Sequence, residues 1–277
     1  MWTAENRPRY NRDNLRYPSD LSDAEWALIE PLIPPGKRGG GKRRVNIRAV
    51  VNGVMYILST GCQWRYLPKD LPPRSTVHDY LGLWHWDGTL DRIHHALDLK
   101  CRKKAGREAS PTACIIDSQS VKSAEKGGPA STATAAGKLI KGKKRHVLVD
   151  TQGLLLRGIV TAANVQDRDG GLALLATMFG MFPLLKKLFA DSAYRGPIFH
   201  DALARILPDL EIEVVKRSDR VKGFVVQPRR WVVERTIAWL NRCRRLAKDW
   251  ENLNRYALAF LKLASIRIML RKLCNPS

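Results

Sequence analysis

The sequence predicts an α/β protein in which a sheet covered by helices follows a small all-α module of helix-turn-helix type. Before Arg107, apolar residues recur at helical spacing. After Arg107, short apolar runs typical of strands come first and then alternate with helical patterns. With 277 residues, of which 44% are hydrophobic, the chain is long enough for one large domain or two ordinary ones.

The first elements are short helices joined by polar segments. Residues 1–16 are polar and arginine-rich, and we expect them to form a flexible arm. A capping box at Ser22–Glu25 predicts the start of a helix. A basic, glycine-rich link at 36–44 follows and is suited to contacts with phosphates. Helical spacing from Ile47 to Leu58 predicts the next helix, and Gly61 is placed to end it.

Two further helices complete this part of the chain. Ser75 is the expected cap of the third helix, and the fourth follows Gly88. Short helices with tight turns predict a helix-turn-helix module over residues 17–107. A small helical bundle that packs against a neighbouring domain is the alternative interpretation.

The remaining residues, 108–277, are predicted to form the sheet and its helices. The expected strands are Cys114–Asp117, His146–Asp150, Leu154–Val160, Leu188–Asp191 and Glu211–Val215. The expected helices are Gly170–Phe179, Pro197–Ile206, 228–250 and 253–273. The low-complexity stretch 123–141 is expected to be an exposed loop between the first two strands.

The charge of the chain predicts its partner. Lys and Arg number 48 and Asp and Glu 26, which gives a net charge of +22 and a pI near 10.2. Nucleic acid is the partner that this balance favours, although ribosomal and membrane-surface proteins are also basic.

Cysteine usage and hydropathy indicate the compartment. The five cysteines are odd in number and none has the spacing of a zinc site, so we expect neither zinc nor a disulfide framework. The uncharged run Gly171 to Leu185 contains Gly180 and Pro183 and is too short to span a bilayer. We therefore expect a cytoplasmic protein.

Three carboxylates carry the predicted chemistry. Asp117 and Asp191 each close a short apolar run, as if at the end of a buried strand, and Glu234 lies in an arginine-rich helical pattern. Burying such groups together is costly unless a cation holds them. Oxygen ligands of this kind suit Mg²⁺ or Mn²⁺, which can assist the cleavage of a phosphodiester.

The helix around Glu234 has more positive charge than one glutamate balances. Arg230 and Glu234 are four residues apart, which a surface ion pair also explains. The surplus guanidinium groups are suited to clamping phosphates. The arginines between 229 and 245 are Arg229, Arg230, Arg235, Arg242, Arg244 and Arg245.

Several motifs, in order, resemble bacterial insertion-sequence transposases of the DDE type, in the IS-five branch. The core motifs are IIDSQSVK, GKKRHVLVDTQGLLL, VQDRDGG, ADSAYRG and RRWVVERTIAWLNRCRRLAKDWE. The earlier LSDAEWALIEPLIPP and GCQWRYLP resemble the helical domain that precedes this core. The resemblance extends from about Tyr17 to about Glu251, which is nearly the whole chain.

The resemblance implies that Asp117, Asp191 and Glu234 form the catalytic acidic triad and hold the metal. It implies a ribonuclease-H-like mixed sheet with the glutamate on a helix beside the two aspartates. It also implies a DNA transposase with two Mg²⁺ (or Mn²⁺) ions per active site, bridged by Asp117. Such an enzyme cuts the element ends and joins their 3′-hydroxyl groups to target DNA, which requires a dimer on DNA.

The sequence departs from the related transposases at two positions. Where their motif has a tyrosine and a lysine, this chain has Gln227 and Asn241. Three other acids are rivals for the triad: Asp150, Asp167 and Asp169. A hairpin turn at Asp150 and a helix start at Asp167 are the simpler interpretations.

Basic residues near these motifs are the candidate contacts with double-stranded DNA, both element ends and target. The candidates are Arg43, Arg44, Lys141, Lys143, Lys144, Arg145, Arg230, Arg235 and Arg242. Two other functions remain open: a metal-dependent nuclease that cuts without joining, and a non-catalytic DNA-binding repressor from a decayed element.

Overall fold

The computed structural model describes residues 5, 7–36, 39, 42–124, 142–215 and 230–275. Contacts between Cα atoms divide the chain into two compact units. The helical unit contains the chain up to Arg107, Arg242–Leu246 and the residues from Ala259 onward. The sheet unit contains Glu108–Asn241 and Ala247–Leu258. The C-terminal helix, which the sequence places with the sheet, therefore divides between the two units.

The helical unit is built from short helices, as the sequence predicts. Its helices are α1 (Arg7–Tyr10), α2 (Asp23–Ile29), α3 (Ile47–Thr60), α4 (Arg74–Trp86) and α5 (Thr89–Lys104). The capping box at Ser22 is present, because the Ser22 hydroxyl accepts from the Glu25 N–H and the Glu25 carboxylate accepts from the Ser22 N–H. Gly61 ends α3 at a φ of 68°.

The predicted cap of α4 is wrong by two residues. Pro73 occupies the N-cap position, and Ser75 lies inside the first turn of the helix. The restricted φ of proline starts the helix without a side-chain cap. Gly88 precedes α5 at a φ of 75°, as expected for the residue that separates two helices.

Five strands form one mixed sheet in the order β3-β2-β1-β4-β5. The strands are β1 (Ala113–Lys122), β2 (Gly142–Asp150), β3 (Leu155–Ala162), β4 (Lys187–Ala190) and β5 (Glu211–Val214). The first three pair antiparallel to one another, whereas β4 is parallel to both β1 and β5. The ribonuclease-H-like mixed sheet that the resemblance implies is confirmed by this arrangement.

Four helices follow β3 along the chain, and two of them pack against the sheet. The four are α6 (Asp167–Ala176), α7 (Pro197–Ile206), α8 (Trp231–Leu240) and α9 (Asn254–Cys274). α6 packs against β1, β2 and β3, and α8 packs against β1 and β2. In the described part of the chain, no helix combines the length and apolarity that crossing a membrane requires.

Several predicted elements have different limits, and β1 and the helix predicted over 228–250 differ most. β1 continues past Asp117 to Lys122, because Ser118 to Lys122 pair with β2. The helix predicted over 228–250 ends at Leu240, and the chain then returns to the sheet, where Asp249 donates its N–H to the Lys122 carbonyl. Residues 125–141 of the expected loop and 228–229 of the expected helix lie outside the described residues.

Candidate active site

The register between β1 and β4 brings the two aspartates together. Ala113 lies opposite Lys187 and Ile115 opposite Phe189. Continuing this offset puts Asp117 level with Asp191, the residue that follows β4. Since adjacent strands are about 4.8 Å apart, the two residues are neighbours in the sheet. Asp117 therefore lies within a strand and not at its end, a correction that leaves the pairing of the two acids intact.

Local hydrogen bonds orient both carboxylates. Asp191 caps the 3₁₀ turn Ser192–Tyr194, and its Oδ1 accepts from the Ala193 N–H at 2.8 Å. Asp117 Oδ1 accepts from the Ser118 N–H at 2.7 Å. One oxygen of each group is thus held by the backbone.

Helix α8 carries Glu234 and is fixed to the turn between β2 and β3. The Thr236 hydroxyl donates to the Gly153 carbonyl at 2.9 Å, and Arg235 donates to the Gln152 carbonyl at 3.1 Å. Gly153 has a φ of 84°, and a Cβ there would lie 2.6 Å from Thr236 Oγ1. Glycine is required at this turn because any side chain would push α8, and with it Glu234, off the sheet.

Arg230 joins the second and third carboxylates. Its Nη2 lies 3.7 Å from Asp191 Oδ2 and 3.4 Å from Glu234 Oε1. The Glu234 side chain is 50% exposed and that of Asp191 is 28% exposed. Because the glutamate is half in solvent, its ion pair with Arg230 contributes little to stability.

The electrostatics of Asp117 reflect the same cluster. The pKa of Asp117 is raised to about 6, chiefly by burial; the charges of Asp191 and Glu234 also raise it, whereas the Ser118 N–H and Arg230 lower it. The charges of the other two predicted acids therefore act on Asp117.

The donor chemistry of the cluster fits a hard divalent cation, since it offers three carboxylates and little else. Within the described residues, however, no three His, Cys, Asp or Glu side chains are close enough to share a metal ion. The Arg230 guanidinium lies between Asp191 and Glu234 instead. The register places Asp117 beside Asp191, and Glu234 is joined to Asp191 through Arg230.

Three of the predicted DNA contacts require correction. Lys143, Lys144 and Arg145 lie in β2, are 1%, 8% and 5% exposed, and bind partners inside the protein. Lys143 pairs with Asp249 at 3.3 Å, Lys144 with Asp167 at 2.8 Å, and Arg145 donates to Asn241 at 3.3 Å. The basic run had suggested an exposed loop, but strand pairing with β1 buries it.

The other predicted contacts differ in accessibility. Arg235 stacks between Trp231 and Trp239, with its guanidinium carbon 4.3 and 4.6 Å from the two ring centroids. It therefore stabilises α8. Arg43, Arg44 and Arg242 are exposed and remain candidates. Lys141 and Gln227 lie outside the described residues.

The rival acids have structural partners, as the simpler interpretations predict. Asp150 Oδ1 accepts from the Gln152 and Leu154 N–H groups in the β2–β3 turn. Asp167 begins α6 and accepts from Ser118 and Lys144. Burial alone would raise its pKa, but these hydrogen bonds hold it below the usual value. Asp169 is exposed and pairs with Arg168 at 3.5 Å.

Tyr194 is a residue of this site that sequence reasoning missed. It is 1% exposed and its hydroxyl oxygen is buried without a hydrogen-bond partner among the described residues. Burial raises the pKa of Tyr194, and the carboxylates Asp117, Asp167 and Asp191 raise it further. A tyrosine three residues after Asp191, on the turn that this aspartate caps, is the signal that could have identified it.

Two family models match the chain. The model described as the transposase DDE domain matches residues 108–269. The model described as a putative transposase of the IS4/5 family matches residues 21–94. The first match contains all three carboxylates and the second contains most of the described helices of the helical unit.

Curated relatives cover parts of the chain. An uncharacterized 16.2 kDa protein of insertion element IS402 from Burkholderia cepacia is 34% identical over 113 residues, 39% of this chain and 76% of that protein. A putative transposase for IS402 from the same organism is 35% identical over 130 residues, 44% of this chain and 60% of that protein. An uncharacterized protein, y4sN, from Sinorhizobium fredii is 28% identical over 102 residues, 37% of this chain and 75% of that protein.

Proposed function

We propose that this chain, which belongs to the transposase DDE domain family of polynucleotidyl transferases, cuts the ends of an insertion sequence and joins their 3′-hydroxyl groups to target DNA. One observation carries the proposal: the β1–β4 register puts Asp117 beside Asp191, and Glu234, on a helix that packs against β1, shares Arg230 with Asp191. The family binds DNA, and the net charge of +22 suits that partner.

Members of this family depend on divalent metal ions, and we assign their binding here to Asp117, Asp191 and Glu234. When bound, a pair of Mg²⁺ or Mn²⁺ ions supplies activation of the attacking hydroxyl group and stabilisation of the leaving oxygen. The protein supplies orientation: β1 and β4 hold the aspartates side by side, and the Gly153–Thr236 contact holds α8.

Arg230 has a separate role in the proposed reaction. Its planar guanidinium group can bind phosphate through two parallel hydrogen bonds. In the free protein this group neutralises Asp191 and Glu234. When DNA arrives, we expect Arg230 to turn to the phosphodiester and leave the two carboxylates to the metal.

Isosteric substitution tests the triad. We expect Asp117→Asn, Asp191→Asn and Glu234→Gln each to abolish strand cleavage in Mg²⁺, with affinity for end DNA retained, because each removes a metal ligand and leaves the fold intact. The substrate is DNA that ends in the repeats flanking the gene. Asp209→Asn, which removes an exposed carboxylate of the sheet unit, is the matched control. Full cleavage by any of the three variants would exclude that residue as a ligand.

A second assay separates the alternatives. Purified protein is incubated with a pre-cleaved end and a target plasmid. A transposase joins the pre-cleaved end to the plasmid. A nuclease cuts intact element ends but does not join the pre-cleaved end to the plasmid. A repressor binds the DNA without cutting it. Because two ends must be joined together, we also propose a dimer on DNA, which light scattering of the protein–DNA complex measures.

A further inference from the structure

A cavity of about 650 Å³ lies within the helical unit, apart from the residues assigned to catalysis. We call it the arginine pocket, and its polar lining is drawn from the N-terminal segment, α3 and α9. The lining residues on which its chemistry depends are Arg12, Ser19, Ser59, Arg267 and Arg271. All of them belong to the helical unit.

Three arginines line the pocket, against two carboxylates: the exposed Asp13 in its wall and the buried Glu25 beside it. Arg267 and Arg271 are four residues apart on α9, and Arg12 lines the same cavity. The pKa of Arg271 is lowered to about 10, chiefly by burial and also by the charges of Arg267 and Arg12, whereas Glu25 and Cys243 raise it. Like charges held this close favour an anion between them.

The buried acid beside the pocket is already engaged. Glu25 accepts from Arg12 Nη1 at 3.0 Å and from Nη2 at 2.7 Å, and it also accepts from the Ser22 N–H. These bonds hold it against Arg12, and its charge also raises the pKa of Arg271. Arg267 donates to the sulfur of Cys243 at 3.7 Å, which is a weak and neutral acceptor.

Hydroxyl groups in the wall provide an independent sign of a ligand. Ser19 is 9% exposed, and its oxygen has no hydrogen-bond partner among the described residues. The Ser59 oxygen and Arg12 Nε are also buried and also lack a hydrogen-bond partner among the described residues. Unpaired buried donors are costly, and three of them around one cationic cavity match the oxygens of a tetrahedral anion.

We propose that the arginine pocket binds a phosphate group of the DNA backbone and so anchors an element end on the helical unit. This proposal rests on the proposed function for its DNA partner. Guanidinium groups recognise phosphate bidentately, and hydroxyl groups complete the set of donors. A contact of this kind fixes position without reading sequence.

Charge removal in the pocket is the first test. Arg267→Gln and Arg271→Gln are each expected to weaken end-DNA binding about three- to ten-fold at constant salt, and to reduce the slope of log affinity against log salt by about 1. Fluorescence anisotropy with the full chain measures both. Lys272→Gln, which removes an exposed charge from the same helix, is the matched control and should leave the slope unchanged.

A second variant separates binding from folding. Ser59→Asp brings a carboxylate to the guanidinium groups, so the melting temperature should be equal or higher while DNA affinity falls. Inorganic pyrophosphate is the probe for a free anion and should raise the melting temperature of the parent chain, but not of Arg267→Gln. If Arg267→Gln loses pyrophosphate binding but keeps normal DNA binding, the pocket binds a phosphate group that does not come from DNA. If neither pyrophosphate binding nor DNA binding changes in this variant, the pocket is not a phosphate site.

These binding measurements do not depend on catalysis. A chain that fails to cut or join DNA but loses affinity in the pocket variants would refute the transposase proposal and keep the pocket. A chain that cuts and joins DNA, with normal affinity in all pocket variants, would refute the pocket alone.

Discussion

The ionisation of Asp117 is strongly affected by its surroundings. Its pKa is about 6 against an ordinary value of 3.8, with burial as the main cause. A carboxyl group with a raised pKa adds stability that is fully present below pH 3.8 and is lost as the pH rises through 6. At neutral pH the ionised group therefore opposes folding, as expected for a functional site.

We predict that Asp117→Asn stabilises the metal-free protein. Without a divalent cation, the free energy of unfolding at about pH 7.5 should rise by about 1–3 kcal/mol, because the amide carries no charge to desolvate. The gain should fall by about half near pH 5, where the parent aspartate is mostly protonated. Urea unfolding in EDTA at both pH values measures this, and an equal gain at both would contradict the assigned pKa.

The basic residues of this chain have different roles that depend on their burial. Lys143 pairs with Asp249, which is 4% exposed, and the pair ties the segment after α8 to the sheet. Arg44, by contrast, is exposed on the link before α3. The sequence shows the same charge at both positions, and only the strand pairing of β2 separates them.

At the scale of elements, local sequence signals predict the ends of helices better than the ends of strands. α7 has the limits that the sequence predicts, because Pro197 starts it after Gly196. α3 begins at the Asn46 cap and ends at Gly61. The polar end of β1 and the basic start of β2 could not be predicted, because their strand conformation depends on pairing with each other.

The sequence motifs name the candidate acids of the site, Asp117, Asp191 and Glu234, but not their surroundings. The contact of Arg230 with two acids and the position of Tyr194 depend on the β1–β4 register and the turn after Asp191, which are tertiary features. The arginine pocket depends on the approach of Arg12 to α9 from more than 250 residues away.

Helix α6 provides a test of whether side-chain packing outweighs intrinsic helix propensity. Gly170 lies inside this helix, where alanine is ordinarily more stable by about 1 kcal/mol. A Cβ at this position would lie 2.1 Å from His146 Cε1. The His146 ring is fully buried and bonds Thr161 at 3.0 Å, so it cannot move aside.

We therefore predict that Gly170→Ala destabilises the protein by about 1–3 kcal/mol. Chemical denaturation measures the change. In the double variant Gly170→Ala with His146→Ala, the two losses should not add, because removing the ring makes room for the methyl group. Stabilisation by the single variant would show that propensity outweighs the contact.

At the scale of the whole molecule, the two units divide the proposed work. The sheet unit contains the three acids, and the helical unit contains the arginine pocket. DNA binding is thus expected to survive changes to the acids. The excess of positive charge extends over both, which favours contacts with many phosphates at once.

We predict that affinity for end DNA depends steeply on salt. A protein that neutralises six to ten phosphates loses roughly 10³–10⁵ in affinity between about 50 and 200 mM salt. Only accessible charges take part. Arg44→Gln should therefore lower the slope of log affinity against log salt by about 1, whereas Lys143→Gln should leave that slope unchanged for the molecules that remain folded. Anisotropy titrations across this range measure it. An affinity that barely changes would mean that the charge of +22 does not act on DNA, because counterion release is unavoidable when phosphates are neutralised.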